Sequence, residues 1–524
     1  MSHAASQALP TDDPSTSSEL APPAAARADA PGRLHTDVAD SVRNAVKLGS
    51  SLLATWAVAL GVRILLPRVL GPAAFGTYQF ADAFTTTVFI VMSLGVETYI
   101  RKEVATRSDH ASDFFGGTLI VRVALGVLVT VVALWGLGVS GKSADVRRLV
   151  LVLGVTQLLF NLNSSYAALL QAKGEVDGLS VMNVAAKLAW GIGIGVALAL
   201  HGGVFAVGVA MLISESLRTM ALVALAGRHL RLRYTIHWRP TAAVLLASVP
   251  YYLMALFQTV YARIDVSIMS YVTSDVEVGW YGAASNIAGM SLLLAPLITW
   301  VLLPLTSRAA ARSEEELTVV SRRSMELILC MAIPVSLFLY LAAGLIVHDV
   351  FGPAYEPARR SLEILAPLFV LTYAAMVSAT MLIRLERGWA VTWISIAGGI
   401  ASPLLNLWLI PRCAAAFGHG GAGIGAAITL IVTELGTTAA MTWLLGGRAF
   451  DGRSCGVLAK TCAACLVVIA ADRLAAPLGA WRLVGDAALY VAIVVAWGAL
   501  DLRGMVELLR GALARRAHPD LEAA

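Results

Sequence analysis

Two arginines, Arg63 and Arg263, stand inside long apolar segments of this chain, each upstream of a Gly-x-Tyr, at Gly76-Thr77-Tyr78 and Gly279-Trp280-Tyr281. A charge at membrane depth costs about 2.5–3.5 kcal/mol on insertion scales, so it is normally kept for an ion partner or a ligand. The planar guanidinium donates paired hydrogen bonds to phosphate oxygens and stays charged at any relevant pH. The stretch RILLPRVLGPAAFGTYQFADAF (63–84) parallels RIDVSIMSYVTSDVEVGWYGAAS (263–285). Both run from an intramembrane arginine through a short loop into Gly-x-Tyr and a helix start of small residues. One such arrangement in each half implies two parallel repeats about an axis along the membrane normal, enclosing a cationic cavity. A cavity of that sign suits anionic cargo.

The remaining polar groups within the apolar segments extend the set of candidates. Thr259, Arg263, Ser267 and Ser270 fall at spacings of four, four and three, one stripe of a helix, while Gln258, Tyr261 and Asp265 fall on roughly the opposite side. Arg263 and Asp265 therefore cannot pair within their own helix. Two roles stay open to Arg263, a cavity-facing ligand or an interhelical ion pair. Arg63 either faces the cavity or snorkels to the rim. Arg122 and Lys187 lie about two turns inside the third and fifth segments, with Asn183 one turn from Lys187 as a local partner. Glu215 and Arg218, three residues apart, can neutralise one another. Glu434 has no basic residue within a turn and joins Asp82 as a candidate for proton or sodium coupling. Glu97 and Arg101 have the spacing of an ordinary helical ion pair. Asn161, Asn163, Gln171, Asn183, Asn286 and Asn406 add hydrogen-bonding groups, most of them expected as interhelical ties and some open to polar groups of a ligand.

Positioning these residues falls to a membrane-embedded helical bundle. The chain is 58% hydrophobic and 14% charged, with mean hydropathy +0.75, against about 25% charged in soluble domains. Hydropathy places about 14 spans between 46 and 501, including 46–70, 76–98 and 280–304. They group as a disordered tail 1–40, a six-helix lobe 41–226, a basic linker 227–240 with Arg228, Arg231, Arg233 and Arg239, a second six-helix lobe 241–447, two further helices in 448–502, and a tail 503–524. The fold class expected is thus all-α integral membrane, two parallel pseudo-two-fold lobes plus two C-terminal helices. Lysine and arginine distribution puts both termini in the cytoplasm. The N-terminal stretch lacks the pattern of a cleaved signal peptide, so the first helix is expected to act as its own anchor. The net charge of +5 follows topology, and no basic face with interleaved aromatics speaks for nucleic acid.

Several enzyme motifs fail on context. GLGVSGKS (136–143) fits the phosphate-loop pattern in full, but an apolar run of membrane-spanning length precedes it where a short strand is required. Cys462 and Cys465 lie in an apolar helix without two further ligands, so no metal site is expected. The longest outer loop, around 348–360, is about a dozen residues, too little for a catalytic domain. No enzyme activity and no cofactor are expected.

The chain resembles the Wzx-type oligosaccharide flippases of the MOP exporter superfamily. The residues carrying this are LLPRVLGPAAFGTYQFADAF (65–84), LGVETYIRKEVA (94–105), the 263–285 stretch, VFGPAYEPARRSLEILAP (350–367) and ASPLLNLWLIPRCAAAFGHGGAGIGAAITLIVTE (401–434). They cover about 45–445 in family order. The resemblance implies movement of lipid-linked oligosaccharide, built on undecaprenyl diphosphate, across the cytoplasmic membrane by alternating access between two lobes. It implies basic cavity residues for the diphosphate, at matching positions Arg63 and Arg263, with Asp265 beside them; Arg122 and Lys187 complete the candidate diphosphate-binding set. A monomer in membrane lipid, with a polysaccharide polymerase as candidate associate, is the family expectation. Alternatives are a drug exporter of the MATE type, sharing the two-lobe plan, and a membrane-embedded polysaccharide polymerase or ligase.

Overall fold

The computed structural model describes residues 31–104, 111–173, 176–230, 234–290, 306, 312–450 and 452–498. The expected tails, apart from 31–40, lie outside the described residues, as do Arg231 and Arg233 of the linker and 291–304 of the eighth span. Two units are distinguished, Met1–Leu52 and Leu53–Ala524, and all that follows concerns side chains of the second.

Long apolar stretches must satisfy their own backbone in a bilayer, and the helix does so within one segment. The elements are α1 (Pro31–Phe89), α2 (Ala111–Val139), α3 (Ala144–Ala172), α4 (Val176–Ala199), α5 (Gly203–His229), α6 (Trp238–Val272), α7 (Asp275–Ala288), α8 (Glu314–Leu345), α9 (Ala358–Leu365), α10 (Leu368–Arg384), α11 (Gly388–Phe417), α12 (Gly421–Leu445), α13 (Gly452–Leu474) and α14 (Arg482–Ala496). No strand occurs among the described residues. Residues 31–40, expected to be disordered, are helical. Proline at the first helical position and the Arg33–Asp37 spacing of four favour that start, which a composition argument overlooks.

Twelve helices among the described residues are long and apolar enough to cross a membrane, against the 14 spans expected. The first two expected spans are one kinked helix, and the eighth lies mostly outside the described residues. The kink sits at Gly71, with φ of 73°, followed by Pro72. A glycine reaches that left-handed conformation without a Cβ penalty, so one residue replaces the expected turn. The large apolar side chains left exposed, such as Trp135, Val181 and Leu246, are those a membrane protein presents to lipid.

α1 to α5 form the first lobe and α6 to α12 the second. In the first, α3 packs on α2 and α5, and α4 on α5; in the second, α11 packs on α6 and α12, and α10 on α8 and α12. The hairpin α13–α14 rests on α8. α6 contacts α2 as well as α11, so it belongs to both interfaces.

The lobes meet at both ends of the bundle. At the Gly71 end, Gly76 lies against the Asp275 backbone and Gly279 against the Pro72 backbone, each so close that a Cβ would overlap a carbonyl. Arg68 donates to the Asp349 and Val350 carbonyls, both at 2.9 Å, and the Tyr355 hydroxyl donates to the Pro67 carbonyl at 2.8 Å. Phe75, Tyr78, Val278, Tyr281, Phe351 and Tyr355 share one buried apolar cluster there. At the other end, Gly95 meets the backbone of Ser248 and Tyr252, and Thr235 donates to the Ser112 carbonyl at 2.9 Å.

Candidate functional site

Between these two contacts lies a cavity of about 580 Å³. Each helix that reaches it contributes one face at helical spacing. α1 supplies Trp56 and Arg63 before its kink and Tyr78, Gln79 and Asp82 after it; α3 supplies Gln157 and Phe160. α4 supplies Asn183, Lys187 and Trp190, and α5 supplies Ser214, Glu215 and Arg218. The second lobe contributes Arg263 from α6 and Asn286 from α7. Six of the charged residues singled out by the sequence therefore share one chamber: Arg63, Asp82, Lys187, Glu215, Arg218 and Arg263.

Four of these are basic and two acidic, leaving two positive charges in excess. Arg263 and Asp82 face one another across the lobes at 3.9 Å, and Arg263 remains 41% exposed. A pair that long and that open is worth little by itself, so the guanidinium keeps donors free for a ligand. Arg63 donates to the Asn286 carbonyl at 3.2 Å, also across the lobes. Asp82 interacts electrostatically with both arginines. Arg218 pairs with Glu215 at 3.6 Å, the spacing-of-three pair read from sequence, while Glu215 also accepts from Asn163 at 2.8 Å. Lys187 does not take Asn183 as its partner. Asn183 accepts from Arg218 at 3.2 Å, and the Lys187 ammonium rests 3.6 Å from the centre of the Trp190 ring, a cation–π contact one turn along α4.

Three candidates lie outside the chamber. Arg122 is 1% exposed and ties the first lobe together: it donates to the carbonyls of Asn161 at 2.8 Å and Ser93 at 2.6 Å, to Ser165, and to Glu97 at 2.8 Å. Arg122 is thus held inside the first lobe, away from the chamber that the other basic candidates line. It also replaces the expected Glu97–Arg101 pair, because the buried cation gains more from the carboxylate than exposed Arg101 does. Asp265 is buried and accepts a hydrogen bond from Tyr281. Glu434 is buried in the second lobe facing the hydroxyls of Tyr261 and Thr372.

Sequence reasoning passed over the aromatics of the wall. Trp56, Phe160 and Trp190 each stand at helical spacing from a polar cavity residue, at offsets of seven from Arg63, three from Gln157 and three from Lys187. That spacing was available to find them. It also passed over the use of GLGVSGKS. The glycine-lysine-serine turn joins α2 to α3, Ser143 caps α3, and Lys142 donates to the Ser270 carbonyl and hydroxyl, both at 2.7 Å, with its ammonium 4.6 Å and 4.7 Å from the rings of Phe80 and Tyr271. The lysine is thus a tether from the first lobe to the second. Burial pulls this ammonium below its ordinary range, while Asp275 acts in the opposite sense. The described residues hold no group of three metal-ligating side chains.

Comparison with known proteins agrees with this architecture. The profile of a family described as polysaccharide biosynthesis protein matches residues 41–310. A protein of Escherichia coli (strain K12) named "Putative O-antigen transporter" is 23% identical over 408 residues, covering 74% of this chain and 94% of that protein. Among solved structures, one titled lipid II flippase MurJ, inward closed conformation, superposes with a TM-score of 0.68 at 10% identity, over 88% of this chain and 100% of that one. An inward-facing multidrug resistance MATE family transporter of the MOP superfamily gives 0.54 at 16% identity, over 76% and 94%. At such identities the two structures speak for the fold alone, which this chain shares with them.

Proposed function

Because this chain belongs to the polysaccharide biosynthesis protein family, we propose that it moves lipid-linked oligosaccharide, carried on a polyprenyl diphosphate such as undecaprenyl diphosphate, from one leaflet of the cytoplasmic membrane to the other. The observation that carries this reading is the interlobe chamber with two positive charges in excess. A diphosphate is a compact anion, and Arg63, Lys187 and Arg263 present charged donors to it within a bounded space. Cationic drugs would meet the same excess as repulsion, which disfavours the exporter alternative. The chain then acts by transport without a catalytic residue.

Alternating access follows from the two end contacts. The chamber opens to one side when the Gly71-end contact parts and to the other when the Gly95-end contact parts. Both termini face the cytoplasm in this reading, by the lysine and arginine bias. Coupling to a proton or Na⁺ falls to Asp82, which sees both cavity arginines, with Glu434 as the alternative. The protein works as a monomer in the lipid bilayer, beside a polymerase that uses the exported repeat.

The test is glycolipid translocation by the purified protein in liposomes. Wild type equilibrates a polyprenyl-diphosphate oligosaccharide between leaflets, and Arg263→Glu slows it about a hundredfold, the worth of a lost and reversed charge in a confined site. Unchanged translocation by Arg263→Glu at equal insertion would overturn the cationic-chamber mechanism.

A further inference from the structure

Cations explain only part of the chamber wall. Trp56 lies seven residues before Arg63 on α1, two turns or about 10 Å toward the Gly95 end. Phe160 of α3 enters the same chamber. Among the described residues, neither ring stacks on another aromatic or carries a cation. Trp190, by contrast, already has the Lys187 ammonium on its ring.

Two amides stand with these rings, each fixed at one end. Gln157 donates its Nε2 to Thr86 at 3.1 Å, which leaves the Gln157 carbonyl oxygen as an acceptor. Asn183 accepts from Arg218 through Oδ1 at 3.2 Å, which leaves its amide hydrogens as donors. One oriented acceptor, one oriented donor and two aromatic rings without an aromatic or cationic partner among the described residues are more than a diphosphate can use. They suit a sugar ring, whose C–H face is apolar and whose edge hydroxyls both donate and accept.

We propose that the first lobe carries a saccharide subsite, formed by Trp56, Phe160, Gln157 and Asn183, which reads the oligosaccharide while the neighbouring cations hold the diphosphate. The inference rests on the transport reading and goes beyond it by naming the wall that selects the cargo. It also orients that cargo, with the sugars toward the Gly95 end and the diphosphate at the level of Arg63. Discrimination among repeat units then resides in α1, α3 and α4.

The experiment compares two probes in liposomes holding the full-length protein: a polyprenyl diphosphate bearing an oligosaccharide, and the same lipid diphosphate without sugar. Trp56→Ala and Phe160→Ala are each expected to slow the sugar-bearing probe about tenfold, one aromatic contact's worth, and the bare probe less than about twofold. Trp56→Phe, which keeps a ring face, restores most of the loss. Equal slowing of both probes would assign the aromatics a merely structural role and overturn the subsite, as would no slowing of either. A wild type that moves the bare diphosphate without preferring the sugar-bearing lipid overturns the subsite and leaves transport standing. A wild type that moves neither removes the transport reading itself, and the subsite with it.

Discussion

The two arginine-to-Gly-x-Tyr stretches are alike in sequence and unlike in use. Their glycines behave as mirror partners, Gly76 seated on the Asp275 backbone and Gly279 on the Pro72 backbone. Their polar residues diverge. In the first stretch, Tyr78, Gln79 and Asp82 all face the chamber with Arg63. In the second, Tyr281 spends its hydroxyl on Asp265, both buried, and Arg263 alone lines the chamber, with Asn286 one residue beyond the stretch. A repeated motif has thus kept its backbone role in both halves, while the ligand-facing role has collected in one. The lesson is that close backbone approach demands one residue type on both sides of an interface, whereas a binding wall needs its groups only once.

That comparison can be broken most forcefully at the glycines. Gly76→Val and Gly279→Val should each slow translocation about a hundredfold, because neither neighbour is a side chain that can swing away. A disulfide formed between Thr77→Cys and Asp275→Cys, whose native side chains hydrogen-bond at 3.2 Å, reports closure of that end and should form poorly in both valine variants. Normal closure would show that the crossing is not a constraint of the working cycle.

The arginines come next. Arg63→Gln is expected to slow translocation about thirtyfold, and Arg263→Gln about tenfold, since the latter already shares its charge with Asp82. Measured as equilibration between leaflets without an ion gradient, where coupling is not called on, the double variant Asp82→Asn/Arg263→Gln restores the excess of two charges and should recover to within about threefold of wild type. If it stays as slow as Arg263→Gln, the guanidinium at that position matters beyond the charge balance.

Lys142→Gln gives the smallest effect. It removes one hydrogen-bonded tether among several contacts at the Gly71 end, so translocation should change about threefold or less, with a measurable drop in Thr77–Asp275 cross-linking. Cross-linking that does not move would show that the tether is incidental to closure.

Much of this was legible before any fold was known. Apolar length announced the membrane bundle, because a bilayer permits few other ways of satisfying backbone groups. The price of an intramembrane charge marked Arg63, Lys187, Arg218 and Arg263, and spacing alone paired Glu215 with Arg218. Arg122 carried the same signal and proved a structural tie, since burial cost is identical for a ligand-binding arginine and for one held by Glu97 and three neutral acceptors.

The sequence by itself determined that helices cross a membrane, that an arginine-to-Gly-x-Tyr stretch recurs in each half, and that positive charge lies within the apolar segments, since each of these is a local property of composition and spacing. Only the tertiary structure decided which charges share a chamber, that Asp82 meets Arg263 while Asp265 meets Tyr281, and that a phosphate-loop look-alike bridges two lobes. A helix fixes which residues lie on one face, but the partner of that face belongs to a helix tens or hundreds of residues away, and no local rule reaches so far.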